Sequence, residues 1–179
     1  MFSKIALSLL TASLLCGAVY AKELSFKEGF IGAQTEIFGD SNIAPKSTHV
    51  VTKLTMDDAV ESLKGDISID LLTLKSENEK RDEHMYEALH VKEHPSTVFK
   101  LKEVSKEADG YHLLGTLTLN KQTKEITTKA DITDQSDLVK LKGNFSIKMS
   151  EFGIEPPTLL FLSVRDEVVV SYDLALAKN

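Results

Sequence analysis

Residues 141–149 read LKGNFSIKM, and residues 164–176 read VRDEVVVSYDLAL. In the first stretch Leu141, Phe145, Ile147 and Met149 oppose Lys142, Asn144, Ser146 and Lys148. In the second, Val164, Val168, Val170, Tyr172, Leu174 and Leu176 fall on one face. An apolar–polar repeat of two marks a strand with one buried face and one wet face, the habit of antiparallel sheets. The pattern recurs upstream. Ile67, Ile69 and Leu71 alternate with Asp66, Ser68 and Asp70. Tyr111, Leu113, Leu117 and Leu119 alternate with His112, Thr116 and Thr118, with Leu114 out of phase. Ile126, Ala130 and Ile132 share a face with Thr128. Further strands are expected at 24–38, 48–54 and 97–104, where Phe99 and Leu101 share a side. The count reaches about eight strands joined by short links. Asp109-Gly110 is a hairpin signal, and Asn120-Lys121-Gln122 suits a second tight turn.

One segment breaks the period. Residues 76–94 read SENEKRDEHMYEALHVKEH. Ser76 and Glu79 have the spacing of a capping box, Met85 and Leu89 share a helix face, and Pro95 stops the run. A helix of two to three turns is expected between the third and fourth strands. Eight antiparallel strands with one such insertion fit a closed barrel or a sandwich. A barrel of that size is filled by side chains or holds one ligand. Its inner face would carry Ile67, Ile69, Leu71, Phe99, Leu101, Tyr111, Leu113, Leu117, Leu119, Phe145, Ile147 and Met149. None is charged, so a cavity there would suit an apolar molecule. The same residues could equally pack on one another.

The chain has 179 residues, which suits one domain with a single core. At 42% hydrophobic and 27% charged, with one Cys and no Trp, it is neither disordered nor a disulfide scaffold. Its formal charge of −6 argues against a nucleic-acid partner. Residues 1–21 read MFSKIALSLLTASLLCGAVYA. Lys4, the apolar run Ile5–Leu15 and the small residues Val19 and Ala21 are expected to form a signal peptide cut after Ala21. The run is short for a membrane span. Leu15 is too large to precede a lipidated Cys16. Cleavage removes Cys16, so the mature chain would lack thiol catalysis and thiolate metal sites. The expected location is the bacterial envelope, periplasmic or secreted, with no stable membrane insertion of residues 22–179.

Catalytic signatures are sparse. GxSxG, the P-loop and GxGxxG do not occur. His84, His90 and His94 fall near one helix, but the HExxH order is missing and Pro95 ends the helix there. Glu87-Ala-Leu-His90 is half of a di-iron pattern that needs two such pieces. Asp82, Glu83 and Glu87 read as a solvated helix face more readily than as an acid–base set. No metal, cofactor or catalytic residue is expected. The sequon Asn144-Phe-Ser146 lies in mid-strand and is discounted. After Phe152-Gly-Ile154 and Pro156-Pro157 comes the apolar run 159–162, expected to cover the core or form the lip of an opening. An Arg165–Asp166 pair is allowed there.

Several motifs then recur in a known order: Asn78 to Met85, His94-Pro95, Phe99, Tyr111, Gly115, Leu117-Thr-Leu119, Thr123-Lys124, Phe152-Gly-Ile154 and Asp166-Glu-Val168. Over roughly residues 60–176 the chain resembles the YceI-like family of bacterial secreted lipid-binding proteins. The resemblance implies a mainly β fold, an eight-stranded antiparallel lipocalin-like barrel with one short helix insertion. It also implies an apolar tunnel for a polyisoprenoid chain or a fatty acid or amide, and a part in handling isoprenoid lipids or quinones rather than an established enzyme activity. Two departures stand out: Asn120-Lys-Gln122 replaces the family's His-Gly-Val, and residues 22–50 lack a clear Asp-x-x-His-Ser. Phe99, Leu101, Leu117, Leu119, Phe145, Ile147 and Met149 are expected to line the tunnel, with Phe161 near its mouth. The expected partner is a lipid or isoprenoid small molecule to be held or transported, and a homodimer is left open. The rival readings are an envelope stress or interaction protein with a filled core, and an enzyme acting on a lipid headgroup near Arg81 and His84.

Overall fold

A computed structural model describes residues 21–37, 40–159 and 162–179. The expected signal segment through residue 20, and Phe161, lie outside the described residues. Eight long strands make the body: β1 (Lys22–Ile37), β2 (Val50–Met56), β3 (Lys64–Asp70), β4 (Ser96–Glu107), β5 (Gly110–Leu119), β6 (Gln122–Asp134), β7 (Leu138–Lys148) and β8 (Glu167–Lys178). Each pairs antiparallel with the next, and β8 returns to β1 from Leu24↔Lys178 to Gln34↔Val169. The sheet therefore closes into a barrel, and the edges that a sandwich would leave are gone. Short strands decorate one end. Asp40–Ile43 folds back on the end of β1, Lys46–Ser47 pairs Ile31 and Gly32, and Thr158–Leu159 pairs Leu162–Ser163.

The turns follow from local chemistry. Asn120 and Lys121 take φ of 46° and 62° between the paired ends Leu119 and Gln122. Two consecutive positive φ values define the hairpin turn whose twist matches its strands. Asn120 tolerates this conformation and uses its side chain as well: Nδ2 donates to the Phe152 carbonyl at 3.0 Å. That bond ties the β5–β6 turn to the short 3-10 turn Met149–Phe152. Met149 and Leu71, expected as strand residues, sit in such 3-10 turns just past the ends of β7 and β3, and both stay buried.

The helix α1 (Glu79–Ala88) is shorter than the run 76–94, because residues 89–94 turn back on themselves with His90 at φ 51°. Its cap differs from the expected Ser76–Glu79 box. Asn78 is the N-cap and accepts from the Arg81 amide at 3.1 Å. Ser76 instead donates its hydroxyl (2.6 Å) and amide (2.9 Å) to the buried Asp82 carboxylate. Tyr86 donates to the Leu74 carbonyl at 2.8 Å, fastening the helix across one end of the barrel.

Two apolar clusters hold the ends. One gathers Leu24, Leu54, Met56, Leu63, Leu141 and Leu176. The other lies beneath α1 and joins Leu71, Val91, Leu119, Met149, Phe152 and Ile154. Outward positions such as Lys140, Lys142, Asn144, Ser146 and Lys148 are exposed. That polarity is the reverse of a barrel facing lipid. Among the described residues no helix is long and apolar enough to cross a membrane.

Candidate functional site

Between the two clusters the barrel encloses a lumen of about 1120 Å³ that its side chains do not fill. Strand register builds the wall. Phe99 lies opposite Leu117, Phe145 opposite Val170, and Ile147 opposite Val168. The Phe99 and Phe145 rings face each other with centroids 6.3 Å apart and planes tilted by 31°. Both are inward-facing yet only partly buried, because one side of each ring meets the lumen rather than another side chain. Leu101, Leu113, Leu141 and Leu174 form the floor, where the lumen meets the first cluster.

All seven expected tunnel residues within the described chain line this lumen: Phe99, Leu101, Leu117, Leu119, Phe145, Ile147 and Met149. Ile67, Ile69, Leu71 and Leu113 from the wider inner face do so too. Tyr111 does not. It lies near the closed end, packs against the first cluster, and carries the Lys106 ammonium 5.6 Å from its ring centroid. Val168, Val170 and Tyr172 complete the wall from β8, as the alternation in 164–176 already indicated. The contribution of β1 was harder to read. A bulge between Phe26 and Glu28 shifts its phase, and only after that shift do Ile31 and Ala33 point inward.

Two glycines shape the wall. A methyl group at Gly115 would lie 2.5 Å from Phe99 Cζ and 2.6 Å from the Lys100 carbonyl oxygen. A methyl group at Gly143 would run into the Tyr172 ring and lie 2.7 Å from the Lys129 carbonyl oxygen. Each glycine lets an aromatic ring lie along the sheet. The Tyr172 hydroxyl is buried without a hydrogen-bond partner. Burial pushes its phenol up to about 12, and the nearby negative Asp131 acts the same way. Thr128 pulls in the opposite direction, yet its hydroxyl hydrogen points to the Asn144 carbonyl at 2.8 Å.

Among the described residues, charge enters the lining at the mouth alone, from Lys80, Arg81, His84 and Glu87 on α1 and from Glu155 across from them. Asp82, a candidate acid–base residue by sequence, is occupied by Ser76. Arg165 and Asp166 do not pair with each other: Arg165 reaches Glu36 at 3.1 Å, and Asp166 accepts from the Ser150 hydroxyl at 2.6 Å. Those Ser150 bonds hold the Asp166 carboxyl below its ordinary range. Among the described residues, the one cluster with metal-ligand spacing is Glu107, Asp109 and His112 at the β4–β5 hairpin. It does not line the lumen, and His84, His90 and His94 do not converge. His112 and Lys129 bind Asp109 at 3.0 and 3.2 Å and hold its carboxyl low.

A family model for the YceI-like domain matches residues 24–176. The chain belongs to the YceI-like family. A UPF0312 protein of Pectobacterium carotovorum subsp. carotovorum is 30% identical over 169 residues, covering 86% of this chain and 88% of that one. A UPF0312 protein of Pseudomonas aeruginosa is 26% identical over 157 residues, covering 83% and 82%. Among solved structures, BcnA of Burkholderia cenocepacia superposes with a TM-score of 0.72 at 16% identity, over 82% of this chain and 95% of that one. A polyisoprenoid binding domain from Saccharophagus degradans superposes with a TM-score of 0.67 at 11% identity, over 88% and 98%. At these identities the structural neighbours establish the barrel fold.

Proposed function

We propose that the mature chain, residues 22–179, is a periplasmic or secreted binding protein. In this reading it sequesters or carries one apolar-chain lipid in the barrel lumen: a polyisoprenoid, an isoprenoid quinone precursor, or a fatty acid or amide. The observation that carries the reading is a lumen of about 1120 Å³ with apolar walls and charge confined to its mouth. Binding would follow from removing a hydrocarbon chain from water, at about 25 cal/mol per Å². A barrel with a filled core has no such volume to offer, so the ligand-free interaction protein is the weaker reading. The Saccharophagus degradans neighbour, described as a polyisoprenoid binding domain, lends support by likeness. If each methylene takes roughly the volume of a liquid water molecule, about 30 Å³, the lumen of about 1120 Å³ admits on the order of 37 carbons, or about seven isoprene units.

The test is extraction of the purified protein with organic solvent followed by mass spectrometry. One equivalent of an apolar-chain lipid is expected. Leu117→Glu and Phe145→Glu each set a carboxylate in the wall and are expected to abolish retention while circular dichroism stays that of a β protein. Full retention in a folded variant, or no lipid uptake by the wild type from a micellar donor, would reject the carrier role.

A further inference from the structure

Residues 76–90, which carry α1, are held to the barrel less firmly than the segments on either side of them. On the N-terminal side the Lys46 amide donates to the Lys75 carbonyl at 2.8 Å, and the Lys75 amide donates to the Lys46 carbonyl at 3.0 Å. The Ser47 and Thr73 hydroxyls meet at 2.6 Å, and Leu71 and Leu74 are buried beside them. On the C-terminal side Val91 closes the last turn on the Tyr86 carbonyl at 3.1 Å and is itself buried in the second apolar cluster. The Leu71 amide donates to the Pro95 carbonyl at 2.8 Å and shuts the neck of the excursion. Between these anchors Met85, Ala88 and Leu89 line the lumen and are only partly buried. The one buried residue of α1 is Asp82, and its partner Ser76 belongs to the same segment. The Asn78 cap is internal as well. Among the described residues no ion pair leaves 76–90. One side chain makes hydrogen bonds out of it: the Tyr86 hydroxyl reaches the Leu74 carbonyl at 2.8 Å and the Leu72 carbonyl at 3.1 Å.

Resting on the carrier reading above, we propose that residues 76–90 are a lid over the lumen that opens as a unit, with the Tyr86 hydroxyl as its latch. Ten helical residues are too few to persist alone in water. The Asn78 cap and the Ser76–Asp82 bonds travel with α1, however, so the segment swings without melting. Its pivots are the Lys75–Ser76 link, beside the paired Lys46, and the His90–Val91 link, where His90 leaves the helix at φ 51°. Opening breaks the latch and the partly buried contacts of Met85, Tyr86 and Leu89, and it takes no fully buried apolar side chain of α1 into water. Elements held by so few buried apolar contacts are the first to open in a native fold. Met85, Ala88 and Leu89 roof the lumen, so their departure widens the mouth while every strand pair of the barrel stays intact.

The experiment compares the wild type with Tyr86→Phe, which keeps the ring and removes the latch. Uptake and release of a fluorescent conjugated octadecatetraenoic acid are followed by stopped flow, with phosphatidylcholine vesicles as the acceptor. A hydrogen bond of ordinary net strength biases the closed form about fivefold. Both rates should therefore rise about fivefold in Tyr86→Phe while the equilibrium affinity stays within about twofold, because uptake and release pass through the same open state. A rise in release alone, with weaker affinity, would make Tyr86 a support of the binding volume, and unchanged rates in the folded variant would mean no latch; either overturns the proposal. Hydrogen exchange of the guest-free protein gives a second reading. Amides of α1 should exchange together, well before those of β3 and β4, and faster still in Tyr86→Phe with the strands unchanged. Exchange of α1 at the strands' own rate overturns the lid whatever the guest does. Failure of the wild type to take up the probe overturns the carrier reading, and the exchange result then still decides the lid.

Discussion

Replacing Val170 with Trp sets an indole across the lumen. Val170 points inward from β8 opposite Phe145, and it is only partly buried because the lumen touches it. The larger side chain therefore enters open volume rather than packed core, and the barrel should survive. Trp carries seven more heavy atoms than Val. Counted atom for atom against a hydrocarbon guest, it displaces about seven carbons, or between one and two isoprene units. At about 0.8 kcal/mol per buried methylene the ceiling on lost affinity is about 5.6 kcal/mol for a chain that filled the wild-type lumen. Roughly half of that is expected, since the displaced end lies along the mouth rather than in bulk water. The assay is loading of polyprenols of graded length from detergent micelles, read by native mass spectrometry. The wild type should retain chains up to about seven units, and Val170→Trp should stop one to two units shorter with short-chain retention intact. An unchanged length limit in the folded variant would refute the assignment of this lumen as the binding volume.

Gly115→Ala drives a methyl group against Phe99 Cζ at 2.5 Å and against a backbone oxygen at 2.6 Å that cannot yield. A loss of about 1–3 kcal/mol in urea unfolding is expected, and a displaced Phe99 ring should shorten the retained chain as well. Asp82→Ala removes three hydrogen bonds from Ser76 and leaves a half-buried amide unpaired. It should cost about 2–3 kcal/mol, with amide exchange accelerated in α1. The Tyr172 phenol, pushed up to about 12 against an ordinary 10.0, keeps its proton in the fold after the unfolded chain has lost its own. Its contribution to stability is whole below pH 10 and is lost as pH rises to about 12, a fall of about 2–3 kcal/mol. Tyr172→Phe should remove this fall in alkaline unfolding curves while keeping or raising stability at neutral pH, since the lost hydroxyl has no partner.

The alternation in β3, β5, β7 and β8 was legible because one face of each strand is buried and the other is wet, so register is written into the residue types. Closure was not legible in the alternation itself and was expected from the family resemblance alone. A sandwich and a barrel need the same inner faces, and only the pairing of β8 with β1 distinguishes them. Seven wall residues could be read from phase, yet Ile31 and Ala33 could not, because a bulge resets the phase of β1 at Lys27-Glu28, where two adjacent charged residues read as a break in the strand as readily as a change of face. The cap of α1 was misread for a related reason. Ser76 and Asn78 are both good caps, and the choice between them depended on Asp82 being buried six residues after Ser76. The mouth was legible only as composition. That Lys80, Arg81 and His84 face the lumen while Glu79 and Glu83 face water depends on how the helix rolls when Tyr86 docks on the Leu74 carbonyl.

Eight strands is the size at which a barrel can still be filled by its own side chains, so the lumen here needs a cause beyond strand number. The cause is where the small and flat residues stand. Gly115 sits between the inward Leu113 and Leu117, and Gly143 between the inward Leu141 and Phe145. A side chain at either place would meet an aromatic ring and a backbone carbonyl before it reached the open volume. Phe99 and Tyr172, standing upright, would bridge to the far wall; lying over Gly115 and Gly143 they become part of the near one. The second arrangement also leaves a phenol hydroxyl unpaired. Neither glycine can be enlarged to fill that volume, because a methyl group at each already meets a backbone carbonyl oxygen at 2.6 or 2.7 Å. Their presence on two separate strand pairs, β4–β5 and β7–β8, keeps both rings in the wall and the volume between them open.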